Sequence, residues 1–170
     1  MPSASELIER YNMRQLPGEG GYYVETYRSD ETIPHDVLPG RYCGDRSHST
    51  CILFLLTKGL VSALHRVKSD EIYHFYACSP LRTLLLYPDG TSELVTVSND
   101  LQARHCPQLV IPRGTWQGSF LAEPDSEFAL LGCTVSPGFE FEDFEIPDNP
   151  AELIKQYPDR AELIRKLSVR

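Results

Sequence analysis

No stretch of the sequence is long enough and apolar enough to cross a membrane. The longest uninterrupted apolar run extends from Cys51 to Leu56, whereas a membrane-spanning helix needs about 18 such residues. The first residues, MPSASELIERY, also lack the apolar core of a signal peptide. We therefore expect a cytoplasmic protein that does not use a membrane as a partner.

Basic residues are scarce relative to acidic ones. The chain has 16 Lys and Arg against 24 Asp and Glu, for a formal net charge of −8. A nucleic-acid-binding protein would need a basic face, so we expect no nucleic-acid partner. An anionic small ligand stays open, because a pocket can be locally basic in an acidic protein.

Paired cysteine motifs are missing as well. The five cysteines are an odd number, and no two of them have CxxC spacing, so the sequence indicates neither a disulfide framework nor a structural zinc site. Cys51, Cys78 and Cys133 lie in apolar, strand-like runs, so we expect them to be small core residues. At 170 residues with 41% hydrophobic composition, the chain is long enough for one domain with a proper core.

Short strand-like runs separated by turn residues dominate the rest of the sequence. The spacing of these runs predicts an all-β fold of two antiparallel sheets or a barrel, with strands at 22–28, 50–57, 61–67, 71–77, 82–87, 92–97, 109–112, 116–121 and 128–135. A capping box at Ser3 and Glu6 predicts a short N-terminal helix. Asn149 followed by Pro150 begins one or two C-terminal helices. The barrel core is expected at about 20–146, the helical tail at 149–168, and a long loop at 30–49.

Two spaced motifs in the middle of the chain carry the strongest signal. In the first, Gly59 is followed after five residues by His65 and then by Glu71. In the second, Pro112 and Gly114 are followed by Gln117. These segments resemble the two signature motifs of the cupin superfamily, in which a histidine stands at the positions of Val67 and Gln117.

Longer stretches are similar to one family within that superfamily, the cupin-5 family. They are PGEGGYYVETYRSD, SDEIYHFYACSPL, PQLVIPRGTWQG and CTVSPGFEFEDFE, and together they run from about residue 7 to residue 146. This resemblance implies a cupin jelly-roll, a double-stranded β-helix barrel, with short helices at both termini. It also implies a homodimer and a barrel pocket for a small-molecule ligand.

The motif resemblance implies His65, Glu71 and Gln117 as metal ligands. Imidazole and carboxylate suit divalent zinc, iron, nickel or manganese, which need three or four converging ligands. Val67 cannot ligate, although it points the same way as His65 because strand side chains alternate. A second interpretation stays open, in which His65 and Glu71, on adjacent strands joined by a turn at 68–70, hydrogen-bond each other in a polar pocket.

A shorter resemblance concerns catalysis. The segments GGYYVETYR and SALHR are similar to the opening of the cupin-fold dTDP-sugar 3,5-epimerases, which are metal-free. This resemblance implies that His65 is a general base acting next to a keto group, for which its ordinary pKa range is suited. It also implies that Tyr23, Glu25 and Arg28 lie near the substrate.

Other polar or aromatic residues are candidates for ligand contact. They are Thr50, His74, Gln108, Trp116 and Gln117. Strand alternation places His74 on the face opposite to Glu71, where it would line a second cavity or a dimer interface.

Three functional hypotheses follow. The first is a small-molecule-binding cupin with isomerase or epimerase-like activity on a sugar-like or nucleotide-like ligand, with His65 and Glu71 as the catalytic pair. The second is a metal-dependent cupin enzyme of dioxygenase or isomerase type. The third is a non-catalytic binding or structural cupin.

Overall fold

Two antiparallel sheets form the body of the protein in the computed structural model, which describes residues 2–168. The strands are β1 (Arg14–Gln15), β2 (Tyr22–Arg28), β3 (Thr32–Ile33), β4 (Arg46–Ser47), β5 (Thr50–Thr57), β6 (Ser62–Val67), β7 (Asp70–Cys78), β8 (Leu81–Leu86), β9 (Ser92–Val97), β10 (Gln108–Ile111), β11 (Trp116–Leu121), β12 (Phe128–Ser136) and β13 (Phe144–Glu145). One sheet has six strands in the order β1-β2-β5-β12-β7-β10, and the other has five in the order β13-β6-β11-β8-β9. Strands distant in sequence are therefore neighbours, as in a jelly roll.

Short helices flank the sheets at both ends of the chain. They are α1 (Ala4–Tyr11), α2 (Pro150–Gln156) and α3 (Ala161–Leu167), with 3-10 turns at His35–Val37, Phe141–Asp143 and Pro158–Arg160. The predicted capping box is present, since the Ser3 hydroxyl accepts from the Glu6 amide and the Glu6 carboxylate accepts from the Ser3 amide. Asn149 caps α2 by accepting from the Ala151 amide. No helix within residues 2–168 is long and apolar enough to span a membrane.

The largest apolar core lies between the facing sheets. It includes Phe54, Leu56, Tyr73, Leu85 and Leu131. A second cluster joins α2 and α3 to the five-stranded sheet, and a third packs α1 against the six-stranded sheet. The helices thus cover the outer faces, and the interior between the sheets is left to hold a cavity.

Segment 30–49, expected to be a long loop, is more ordered than predicted. It contains the β3–β4 pair, and Tyr42 and Arg46 within it are buried. Arg46 accounts for this order, because its guanidinium binds Asp143 at 2.7 Å and Glu142 at 2.6 Å. A buried arginine with distant acidic partners has no periodic sequence signature, so the sequence pattern predicts a loop there.

The core assignment of the cysteines is correct only in part. Cys133 is buried and Cys51 is half-buried, but Cys78 is exposed. Cys78 ends β7 with a positive φ of 72°, beside an irregularity in the pairing of β7 with β12. The local change of register turns its side chain out of the core.

Candidate functional site

A cavity of about 270 Å³ opens between the two sheets. Its lining residues come from both sheets, from the turn before β2 and from the segment after β12; they are Arg14, Leu16, Glu19, Tyr23, Glu25, Arg28, Ile52, His65, Val67, Glu71, Cys133, Val135, Phe139, Glu140, Phe141 and Phe144. The cavity is at the small end of ligand pockets, which span roughly 300–1,000 Å³.

His65 and Glu71 reach the cavity from opposite sheets. β6 pairs with β11 and β13, whereas β7 pairs with β10 and β12, so the expectation that the two residues lie on adjacent paired strands is wrong. The turn at 68–70 carries the chain from one sheet to the other, and the two side chains therefore line the same cavity from facing walls. The hydrogen bonds of His65 and Glu71 go to other residues and not to each other.

One ring nitrogen of His65 is hydrogen-bonded to the backbone, and the other is available to a ligand. Its Nδ1 lies 2.8 Å from the Ala63 carbonyl oxygen, and a carbonyl can only accept, so Nδ1 carries the hydrogen. In the neutral ring the lone pair is therefore on Nε2, which lies 3.8 Å from Glu19 Oε2. The ring is 3% exposed and stacks on Phe144 at 5.2 Å between centroids.

Glu19 is bound to β6 through both its backbone and its side chain. Its carbonyl accepts from the Ala63 amide at 2.7 Å, and its Oε1 accepts from the Ser62 hydroxyl at 2.6 Å. Gly20 makes this approach sterically feasible, since a Cβ there would lie 2.5 Å from the Val61 carbonyl oxygen and its φ is +97°. The glycine-rich turn therefore places a buried carboxylate beneath His65.

Glu71 is a carboxyl group in an apolar setting. Burial raises its pKa from 4.5 to about 7, the charge of Glu19 adds to the rise, and His65 opposes it. Its Oε2 accepts from Gln117 Nε2 at 2.6 Å. Burial also raises the pKa of the neighbouring Cys133 thiol well above its usual 9.0. At neutral pH, Glu71 is thus present both as an acid and as a carboxylate, and Cys133 stays a thiol.

Gln117 supports the site from behind Glu71. It is fully buried and lies directly opposite His65 in the β11–β6 pairing. Its amide nitrogen binds Glu71, while its Oε1 has no hydrogen-bond partner within the described chain. Gln117 therefore orients the Glu71 carboxyl and does not itself line the cavity.

An ion-pair cluster crosses the mouth of the cavity. Arg28 binds both oxygens of Glu25, at 3.1 and 2.9 Å, and Glu140 at 2.7 Å. It also donates to the Phe139 carbonyl at 3.1 Å. This cluster connects β2 to the segment after β12, and the phenyl rings of Phe139 and Phe141 pack edge to face beside it.

The structure divides the predicted site residues into two groups. Five of them line this cavity, namely His65, Glu71, Tyr23, Glu25 and Arg28. Gln117 does not line it but hydrogen-bonds Glu71, which does. The other candidates, Thr50, His74, Gln108 and Trp116, lie outside it.

These outer candidates have structural contacts of their own. His74 faces away from Glu71, as predicted, and its ring nitrogens contact Gln108 at 3.2 Å and Thr134 at 3.1 Å. Trp116 packs beneath Arg66 near the C-terminal helices. Thr50 accepts from the Phe139 amide at 3.0 Å, so it anchors the segment that forms the cavity wall.

Sequence analysis missed Glu19, Arg14 and the aromatic segment that includes Phe144. The available signal for Glu19 was an acid flanked by glycines just before a strand. That signal is weak, because such turns are mostly read as chain reversals. Phe144 lies in the run FEFEDFE, in which aromatic and acidic residues alternate, but nothing in that run indicates which side faces a pocket.

The donor set does not fit a resident metal. Within residues 2–168 no three His, Cys, Asp or Glu side chains converge as ligands. Gln117 does not line the cavity, and its amide nitrogen is hydrogen-bonded to Glu71. Val67 lines the wall where the cupin motif has a second histidine.

Solved structures of related proteins share this fold. Protein SO0799 from Shewanella oneidensis is 34% identical with a TM-score of 0.85, and the match covers 99% of each chain. A hypothetical protein from Leishmania major is 29% identical with a TM-score of 0.86, covering 99% of this chain and 100% of that one. Oxalate decarboxylase from Bacillus subtilis is 16% identical with a TM-score of 0.55, over 92% of this chain and 37% of that one. This last likeness shows the fold alone.

Sequence comparison identifies the family. The yeast protein named "Uncharacterized protein YML079W" from Saccharomyces cerevisiae is 33% identical over 133 residues, which is 74% of this chain and 66% of that protein's length. The family profile described as Cupin superfamily (DUF985) matches residues 5–147. The expected jelly-roll fold with short terminal helices is confirmed by these neighbours. The chain belongs to the cupin-5 family (DUF985) of the cupin superfamily.

Proposed function

We propose that this protein binds a small carbonyl compound in the cavity between its sheets and catalyses an isomerisation or epimerisation by proton transfer. The observation that carries the proposal is the pair of buried acid–base groups on facing walls. His65 offers a free Nε2 from one sheet, and Glu71 offers a carboxyl from the other. Such reactions need a base at a carbon and an acid at the adjacent carbonyl oxygen.

His65 is the base in this proposal. Its tautomer is set by the Ala63 carbonyl, so Nε2 accepts the proton from the substrate carbon. The ring then becomes an imidazolium, whose charge is stabilised by the Glu19 carboxylate 3.8 Å away. Glu19 thus acts through His65 and is a positioning residue.

Glu71 is the acid. With a pKa of about 7, a large fraction of this carboxyl is protonated at neutral pH and can donate to the carbonyl oxygen as the carbon loses its proton. The product of this step is an enol. A proton then returns to the same carbon, from His65 on one face or from solvent on the other, while the enol proton goes back to Glu71, and the carbonyl is regenerated with the original or the inverted configuration. Where that carbon carries a hydroxyl group, the intermediate is an enediol; a proton delivered to the former carbonyl carbon, with loss of the proton of the other hydroxyl, then shifts the carbonyl to the neighbouring carbon.

The surroundings of the pair favour this chemistry. Phe139, Phe141 and Phe144 contribute apolar surface to the cavity, which lowers the local dielectric constant and strengthens electrostatic interactions in the site. The resemblance of the β2 and β6 segments to metal-free 3,5-epimerases supports the same role for His65.

Deuterium exchange next to a carbonyl tests the proposal. The protein is incubated in D₂O with 2-oxobutanoate, fructose 6-phosphate and a 4-keto sugar nucleotide, and proton NMR follows loss of the signal at the adjacent carbon. We expect faster exchange than in buffer for at least one compound, and a loss of ~100-fold or more in His65→Gln, in line with the usual contribution of a general base. The matched control is His48→Gln, an exposed histidine outside the cavity.

Two results would overturn the catalytic proposal. One is binding of these compounds without any exchange, which would indicate a non-catalytic binding cupin. The other is exchange that survives in His65→Gln. Exchange that disappears with EDTA and returns with a divalent metal would instead favour the metal-dependent hypothesis.

A further inference from the structure

Arg14 is the cationic side chain of the cavity that has free hydrogen-bond donors. It is exposed on the edge strand β1, and its guanidinium lies over the Tyr23 ring, 5.1 Å from the centroid. No carboxylate in the described part of the chain lies within ion-pair distance of it. A guanidinium that rests over an aromatic ring keeps N–H groups that can bind a ligand.

Arg28, the other arginine of the cavity, is already occupied. Its three nitrogens bind Glu25, Glu140 and a backbone carbonyl. A ligand anion at this position would have to displace one carboxylate and would then lie beside both. The ion-pair cluster at the mouth therefore does not act as a ready anion site.

The charge balance of the whole cavity limits what it accepts. The carboxylates of Glu19, Glu25 and Glu140 outnumber the guanidiniums of Arg14 and Arg28, so the lining is acidic by at least one charge before a ligand enters. One added negative charge therefore finds a partner only at the unpaired Arg14. A second would lie among carboxylates with no free partner, and uncompensated like charges cost several kcal/mol.

The positions of Arg14, His65 and Glu71 also define how a ligand is oriented in the cavity. Arg14 is exposed at the rim, whereas His65 and Glu71, on the facing walls, are buried at 3% and 8% exposure. A ligand bound by both ends has its charged group outside and its reacting carbonyl inside. The cavity of about 270 Å³ has room for a compact molecule.

We infer that the substrate is a small monocarboxylate with a keto group, whose carboxylate pairs with Arg14 while its carbonyl lies between His65 and Glu71. This inference rests on the proposed function and narrows it. It replaces the nucleotide-like ligand expected from the sequence, because a nucleoside diphosphate carries more negative charge than the free donors of the cavity can match.

Binding measurements with matched probes test the inference. Isothermal titration calorimetry compares 2-oxobutanoate, its methyl ester and UDP-glucose, which differ in charge. We expect the keto acid to bind at least ~tenfold more tightly than the other two, a difference of about 1.4 kcal/mol. Arg14→Gln should remove this preference. Arg10→Gln is the control, since Arg10 also lies over a tyrosine ring, Tyr11, but outside the cavity.

A second variant tests the role of the acidic residues at the mouth of the cavity. Glu140→Gln removes one carboxylate and releases part of Arg28, so UDP-glucose should bind more tightly to this variant than to the unmodified protein. Four results would each overturn the inference: equal binding of acid and ester by the unmodified protein, tighter binding of UDP-glucose than of 2-oxobutanoate by that protein, an unchanged preference in Arg14→Gln, or no binding of 2-oxobutanoate.

The two proposals fail in distinguishable ways. Proton exchange that depends on His65 without any charge preference in binding overturns only the substrate class. A charge preference that depends on Arg14 without any proton exchange overturns the proposed catalysis and leaves a carboxylate-binding cupin.

Discussion

Glu19 and His65 form a buried acid–base pair, with Glu19 Oε2 3.8 Å from His65 Nε2. Both side chains are anchored independently, Glu19 by the Ser62 hydroxyl and His65 by the Ala63 carbonyl. At this separation no hydrogen bond joins the neutral His65 ring to the Glu19 carboxylate. When the ring takes up a proton, the two groups form an ion pair.

Glu19→Gln should therefore slow proton exchange and leave substrate binding nearly intact. The amide keeps the size of the side chain and can still accept from Ser62, but it cannot stabilise an imidazolium. We expect kcat to fall by ~10- to 100-fold, a part of the usual general-base contribution, with little change in KM. Glu93→Gln, an exposed substitution on β9, is the control. A rise in KM with unchanged kcat would contradict this role.

Glu71→Gln should stabilise the protein at alkaline pH. The folded-state pKa of about 7 lies above the ordinary 4.5, so the favourable contribution of the protonated carboxyl is fully present below pH 4.5 and is lost as pH rises through 7. The variant avoids this loss, which amounts to about 3 kcal/mol. Urea denaturation at pH 5 and pH 8, with exposed Glu162→Gln as control, should show a gain that is large only at pH 8. A gain that is independent of pH would refute the assignment.

Gly20→Ala should destabilise the fold far more than Gly59→Ala. Both glycines have positive φ, +97° and +82°, but only a Cβ at Gly20 meets a backbone atom, the Val61 carbonyl oxygen at 2.5 Å. Left-handed strain alone costs about 1–2 kcal/mol, and the clash adds about 1–3 kcal/mol. Chemical denaturation of both variants measures the difference. Equal losses would mean that Gly20 is required only for its φ.

The buried ion pair between Arg46 and Asp143 should be costly to break from one side. Their side chains are 1% and 2% exposed, so Arg46→Met leaves the buried Asp143 carboxylate with Lys68, at 3.5 Å, as its remaining cationic partner. The substitution should cost about 3–5 kcal/mol, with much of it recovered when Asp143→Leu is added. Lys58→Met, at an exposed pair with Asp125, should cost less than about 1 kcal/mol. A double-mutant cycle by urea denaturation checks this. Additive losses would contradict the coupling.

Metal content should be far below one ion per chain. His65 and Glu71 are the two good ligands at the cupin position, and Gln117 is turned with its amide nitrogen toward Glu71. Mass spectrometry of tag-free protein should find little zinc, iron, nickel or manganese, and Glu71→Ala should not change the amount. Near-stoichiometric metal that is lost in Glu71→Ala would show that these residues form a metal site.

Strands were predicted well because their signal is local. The strands at Thr50–Thr57 and Trp116–Leu121 have the predicted bounds, since alternation and turn residues act over a few positions. The order of segment 30–49 was not predicted, because it depends on Arg46 meeting Asp143, 97 residues later in the chain. Long-range ion pairs of this kind leave no periodic trace.

The candidate site was predicted in part for a similar reason. Motif spacing singled out His65 and Glu71, and strand alternation placed Val67 on the same face as His65. Motif spacing did not indicate that β6 and β7 belong to opposite sheets, because a short turn serves equally for a hairpin and for a crossing between sheets. Glu19 and Arg14 had no motif at all.

The sequence by itself determined the family, the all-β architecture and the two central side chains, because periodicity, turn chemistry and motif spacing are properties of neighbouring residues. The tertiary structure decided which groups face one another. In the folded chain Glu19 lies beneath His65, and Glu71 faces His65 across the cavity. Arg28 is paired with carboxylates, whereas Arg14 is unpaired. These relations depend on distances between chain segments, and such distances are set only when the sheets pack together.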